Sequence, residues 1–217
     1  MTKVNIVAPK FLLVILFFSC SIIAEVSTET LKYKIIEEDG KKEIRLYEPY
    51  IKAQVEIPGT MEDSRGQAFK ILAGFIFGKN TSKEKIKMTS PVLIEKSEKI
   101  DMTSPVIIDD RAGSKIKMSF SMPSKYTLKN LPTPNDPRIK IISVPERLVG
   151  AIKFSGRINV EKNKRKSKDL LKWLKKKNNY LVDPEYVYAG YNPPYTLPFM
   201  RRNEVIHELK LIENQQE

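Results

Sequence analysis

The sequence predicts an α+β domain assembled from two similar units, and three observations carry that prediction. Strand-like alternation recurs along most of the chain. Two segments replace it with helical spacing. The order strands, helix, strands occurs once before about Ser114 and once after it. No Gly/Ser-rich linker separates the halves. With 217 residues, 41% of them hydrophobic and 29% charged, the chain can bury one ordinary core and is too apolar for disorder. Its single Cys excludes an internal disulfide, and its single His excludes a metal site built on two imidazoles.

Residues 1–24 read as an address rather than as fold. Lys3 and Lys10 precede an apolar run that starts at Phe11 and weakens toward Ala24. Those 14 residues fall short of the about 20 that a membrane-spanning helix needs. Ile22-Ile23-Ala24 places a small residue before a cut. The reading is a cleaved secretory signal and a periplasmic or secreted protein. An uncleaved anchor and lipidation at Cys20 are the alternatives. Cleavage would remove the only thiol and two lysines, taking the net charge from +12 to +10.

The elements follow in order. Strands are expected at residues 33–37, 43–47 and 51–57, with a turn at Gly40 and a break at Pro49. Asp63 or Ser64 can cap a helix that runs to Phe77 and stops at Gly78. Strands return at residues 86–94, 100–108 and 115–122, followed by an ordered Pro-rich loop over 123–137. Further strands are expected at 140–144 and 148–154, then a second helix over about 162–177. A strand at 186–191, a Pro-rich corner at 192–198 and a last strand at 203–212 complete the domain, which spans residues 31–212. Residues 213–217 are a short polar tail.

A short repeat lies inside this pattern. Ile86-Lys87-Met88-Thr89-Ser90-Pro91-Val92 recurs 14 residues later as Ile100-Asp101-Met102-Thr103-Ser104-Pro105-Val106. Ile and Met of each copy share one strand face. Each Pro suits an edge or a bulge, since it has no N–H to give to a ladder. The reading is a duplicated hairpin arm rather than a thioether metal site.

The repeated Met-Thr-Ser-Pro-Val is joined by four further motifs in order. They are Met122-Pro123-Ser124-Lys125-Tyr126, Asn135-Asp136-Pro137-Arg138, Phe154-Ser155-Gly156 and the run from Gly190 to Val205. Together, over about residues 33–209, they resemble the SOUL haem-binding protein family. The resemblance implies a distorted eight-stranded β-barrel carrying two helices, with a pseudo-two-fold repeat. It also implies binding of haem or a related tetrapyrrole in an apolar groove beside the first helix. The same architecture is similar to bacterial effector-binding domains that hold bulky organic cations, so fold alone does not fix the ligand.

The first helix supplies the candidate site. Ala68, Ile71, Leu72, Phe75 and Ile76 should face the barrel. Gly66, Phe69, Ala73 and Phe77 then form a neighbouring apolar side that needs a cover: a flat ligand, a loop or a partner chain. Arg65 or Lys70 would pair with propionates. His207 alternates with Val205 and Leu209 in the last strand and reads as structural. Haem would therefore be held by apolar contact, with at most a weak Tyr or Met ligand, and iron-free porphyrin would bind similarly. No nucleophile–base pair is present, so no catalytic residue is expected. Arg201 and Arg202 are expected to pair with Glu204 or to cap strand ends.

The positive charge is local. Nine basic residues lie between Lys162 and Lys177, against Asp169 alone. The alternative function is therefore an interaction module docking this helix on an anionic membrane or protein surface. Nucleic acid is not expected, because no aromatic residues interleave the charges; Trp173 shares the buried phase with leucines.

Overall fold

Alternation of apolar and polar residues builds a nine-stranded antiparallel sheet in the computed structural model, which describes residues 29–82, 100, 103–109, 115–157, 159–193 and 195–212. The first half holds β1 (Tyr33–Asp39), β2 (Lys42–Tyr47), β3 (Tyr50–Pro58), α1 (Met61–Ile76), the short β4 (Asn80–Thr81), β5 (Thr103–Asp109) and β6 (Lys115–Ser121). The second holds the short β7 (Thr133–Pro134), β8 (Lys140–Val144), β9 (Arg147–Phe154), α2 (Val160–Leu174), β10 (Tyr180–Gly190) and β11 (Asn203–Leu211). The expected strand at 86–94, the first repeat copy, the leader and the tail lie outside the described residues.

The sheet order is β1-β2-β9-β11-β10-β5-β6-β3-β8. Without β1 it reads alike from both ends. β3-α1-β5-β6 and β9-α2-β10-β11 are the two units. The strand preceding each unit, β2 or β8, crosses to pair with the first strand of the other. The half-repeat seen in the sequence is thus a strand-exchanged pair of units meeting at β5–β10.

Closure into an eight-stranded barrel does not occur. β1 takes the free edge of β2, and its register shift between Ile35 and Glu37 twists that edge away. β8 ends the other side after five residues. Side chains cross where no ladder does: Arg147 of β9 donates to the Tyr50 hydroxyl of β3 at 2.8 Å.

Several element ends differ from expectation for local reasons. α1 starts earlier because Gly59, at φ +110°, turns the chain off β3 and Thr60 caps the helix by accepting from the Asp63 N–H. Gly78, at φ +108°, lies just past the helix end, as expected. α2 starts at the Asn159 cap, which accepts from the Lys162 N–H at 2.8 Å. β10 extends back to Tyr180 through a register shift between Val182 and Tyr186, where Pro184 has no N–H to pair. Pro105 of the second repeat copy sits in the irregularity between Thr103 and Val106.

α1 packs on β3 and β6, and α2 on β9, β10 and β11. The main core lies between helices and sheet and includes Ile44, Val55, Leu72, Phe75, Met118, Phe120, Leu170 and Val205. A smaller apolar cluster, Leu31, Tyr47, Val149, Ala151, Ala189 and Ile206, lies on the opposite side of the sheet.

Candidate functional site

α1 turns its predicted core side inward: Ala68, Leu72, Phe75 and Ile76 are buried, and Ile71 is half-buried. Of the six predicted binding residues, Arg65, Gly66, Lys70 and Phe77 are exposed, and Phe69 and Ala73 are half-buried. Helical spacing brings Arg65, Gly66, Phe69, Ala73 and Phe77 to one side. Phe69 is shared with the core, its ring edge-on to Phe120 at 5.3 Å between centroids. Gly66 is open: beyond its own turn of helix, no described atom lies within 4 Å of where a Cβ would stand.

Lys70 points away from this group. It lines a groove of about 220 Å³ with Ile71, Phe75, Lys79 and the Asp136–Arg138 ion pair. The Arg138 guanidinium holds the Asp136 carboxyl down at about 2. A larger hollow of about 350 Å³ lies by Leu31, Tyr50, Met122 and Tyr126, and none of the six predicted residues lines it.

The corner after β10 adds residues that sequence reasoning assigned to structure alone. Arg201 Nε donates to the Thr196 carbonyl at 2.7 Å, and the Arg202 N–H donates to Asn192 Oδ1 at 2.6 Å. This bracing leaves Tyr195 87% and Phe199 73% exposed, with Leu197 and Met200 also exposed. The sequence signal was four large apolar residues in a segment too rich in proline for a strand, hence without a core partner.

Tyr188 relates the corner to α1. Its hydroxyl donates to Asn203 Oδ1 at 2.5 Å and lies in the field of both Arg65 and Arg201. Burial pushes its pKa well above the ordinary phenol value, and the two guanidinium charges oppose that only in part. Asn203, which accepts the Tyr188 hydrogen bond, opens β11 directly after the corner, and Arg65 and Arg201 both act electrostatically on the same hydroxyl. The arrangement offers exposed aromatic and aliphatic side chains on one flank, an open glycine on the other, and two guanidinium groups nearby. Its chemistry fits a flat apolar molecule carrying carboxylates.

A buried charge cluster supports the corner from the other face of the sheet. Arg45, Glu43 and Glu204 are each 0% exposed. Arg45 donates to Glu43 Oε2 at 2.6 Å, and to Glu204 Oε2 and Oε1 at 2.7 and 3.0 Å. Lys153 pairs with Glu43, and Arg202 with Glu204. The Tyr191 hydroxyl also donates to Glu204, at 2.7 Å. Burial pushes the Glu204 carboxyl up, but Arg45, Arg202 and Tyr191 outweigh it and leave the pKa below the ordinary value. The expected Arg202–Glu204 pair is present, within a larger network.

His207 is away from this site. Its Nδ1 is 2.7 Å from the Asp183 carbonyl, which can only accept, so Nδ1 carries the proton. Nε2 then accepts from Ser167 Oγ of α2 at 2.9 Å. Burial lowers its pKa below 6.5. The folded state therefore resists protonation that the unfolded chain accepts. Stability should be full above pH 6.5 and fall as pH drops from there toward the folded pKa. Melting temperatures between pH 7.5 and 5 should show the fall, and His207→Gln should lose that part of it.

A family model described as SOUL heme-binding protein matches residues 28–208. Human heme-binding protein 2 is 29% identical over 184 residues, covering 82% of this chain and 85% of that protein. Among solved structures, a hydrolase from Listeria innocua aligns with a TM-score of 0.55 at 12% identity, over 81% of this chain and 94% of that one. The EcmrR C-terminal domain aligns with a TM-score of 0.53 at 8% identity, over 83% and 99%. At such identities the two structures speak to fold alone. The family match extends from before β1 into β11 and takes in both helices and the corner, and on that span the chain belongs to the SOUL heme-binding protein family.

Proposed function

We propose that this protein is an exported, non-catalytic binding protein for haem or a related tetrapyrrole, held between the outer side of α1 and the corner at residues 195–200. The observation that carries the reading is the exposed run of Tyr195, Leu197, Phe199 and Met200 in the corner that follows β10. Solvent-facing apolar groups so concentrated mark a place where something apolar docks. Arg65 and Arg201 supply charge for carboxylates at its border. The family generally binds rather than catalyses, and the human relative is named for haem. The hydrolase name of the Listeria structure is not carried over at 12% identity. Export rests on the basic-then-apolar leader of residues 1–24.

Iron is not central to this reading. The single His is buried beneath α2 with both ring nitrogens engaged. Titration with haem should shift the Soret band and quench the single tryptophan, Trp173. Iron-free porphyrin should bind with comparable affinity, and His207→Ala should leave binding mostly intact. No spectral change with either ligand at micromolar concentration would refute the proposal.

A further inference from the structure

We infer that the outward side of α2, together with the apolar tip beside its C-terminal end, docks on an anionic lipid surface. This surface is separate from the α1 groove, so the inference stands independently of tetrapyrrole binding. α2 buries Asn163, Ser167, Leu170, Trp173 and Leu174 against the sheet. Arg165, Lys168, Lys172 and Lys176 follow at helical spacing on the opposite side, all exposed, with Lys175 beside them. At 1.5 Å per residue the stripe is about 16 Å long.

Among the described residues, none of these five cations forms a hydrogen bond or ion pair. Their neighbours do: Lys164 pairs with Glu161 at 3.3 Å, Lys166 with Asp169 at 3.8 Å, and Lys177 with Glu37. Glu161 and Asp169, the two acids bordering the stripe, are thus engaged with Lys164 and Lys166, and no ion pair among the described residues reaches the stripe's own cations. Lys168–Lys172 is a like-charge i,i+4 pair within α2, which weakens a helix, so folding does not account for it; Lys176 continues the stripe just past the helix end. An ordinary solvated face mixes both signs.

The second observation is apolar. At the C-terminal end of α2 the chain enters β10, whose partner β11 ends in Leu211, 65% exposed and on the α2 side of the sheet. Tyr180 is opposite Leu211, and the exposed Ile212 donates its N–H to the Asn179 carbonyl at 2.9 Å. Lys177, through Glu37, brings β1 with its exposed Ile36 to the same end. Leu181, 61% exposed, pairs with Lys210 on the other face of the same sheet end. Leucine and isoleucine ringed by lysines fit an interfacial layer, where acyl chains take the apolar groups and headgroups take the charge. A nucleic acid would use the charge and leave the apolar tip without a partner. Lysine dominance suits diffuse headgroup charge better than forked recognition of one acidic peptide.

The test uses the full chain with vesicles of phosphatidylcholine alone and of phosphatidylcholine mixed with phosphatidylglycerol. The readout is the ratio of binding to the two, compared between parent and variant, so any contribution of the basic and apolar leader, which both chains carry, divides out. A triple variant, Lys168→Glu with Lys172→Glu and Lys176→Glu, should lower the ratio by at least about tenfold, since each basic side chain near such a surface contributes about fivefold. Leu211→Ser should weaken binding to the mixed vesicles several-fold. Melting temperatures establish that both variants are folded. An unchanged ratio in the triple variant overturns the inference. So does an unaffected leucine variant whose vesicle binding heparin fully displaces, because that pattern is polyanion binding without lipid insertion.

Discussion

Arg45→Met is expected to destabilise the fold by about 3 kcal/mol and lower the melting temperature by about 10 °C. Arg45 is buried completely and bridges Glu43 on its own strand to Glu204 on β11. It also donates to the Tyr47 hydroxyl at 3.0 Å and lies 4.5 Å from the Tyr33 ring centroid. Methionine fills much of the volume but leaves two buried carboxylates without their shared cation. Breaking a buried pair from one side costs about 3–5 kcal/mol. The lower end applies because Lys153 still serves Glu43 and Arg202 still serves Glu204.

The pH dependence gives this prediction a second readout. Burial pushes both carboxyls up, and their cations reverse this, leaving both below 4.5. Groups shifted this way contribute stability above the unfolded value, and that contribution is lost as pH falls through the folded values. The variant holds its carboxyls down less strongly, so it has less to lose in acid. Parent and variant should differ most near neutral pH and converge below pH 4.5. A constant gap across pH would show that lost packing, not charge, is responsible. The same variant should loosen the corner, because Glu204 also fixes Tyr191 and Arg202, and Arg202 stacks 4.1 Å from the Tyr191 ring centroid.

Periodicity made α1, most strands and the two-unit plan legible, because those features follow from which residues share a side. It could not show what covers a side. Glu43, Arg45 and Tyr47 alternate with core residues and look like an ordinary solvent-facing strand edge. Their burial comes from β9 and β11, more than a hundred residues away. The first part of β10 was missed because Asp183-Pro184-Glu185 interrupts alternation, and a bulge carries the strand through it. Barrel closure came from family resemblance and not from any local signal; β1 on the edge of β2 replaces it with an open sheet. At the site, the α1 side was legible from spacing. The corner was not: its prolines explain the chain path, while its outward apolar groups became evident only from their exposure.

Gly66→Glu is expected to weaken porphyrin binding at least about tenfold, or 1.4 kcal/mol, without loss of stability. Gly66 lies within α1, and beyond its own turn of helix no described atom would meet its Cβ. Replacing a helical glycine gains about 0.5–1 kcal/mol. The introduced carboxylate would repel Glu62 one turn before it and attract Lys70 one turn after it, which nearly cancels. The fold therefore has no reason to suffer. The groove does: a carboxylate would stand where a flat apolar ring should lie, close to the Arg65 expected to receive the ligand's own carboxylate. Phe69→Asp makes a poorer test, because Phe69 also packs on Phe120 and loss of binding could not be separated from loss of core. Phe199→Ser probes the opposite flank from an exposed position and should weaken binding in the same direction. Gly66→Ala, which adds little bulk and no charge, should bind nearly as the parent does. If Gly66→Glu melts at or above the parent temperature and still binds porphyrin with parental affinity, the ligand does not lie on this side of α1.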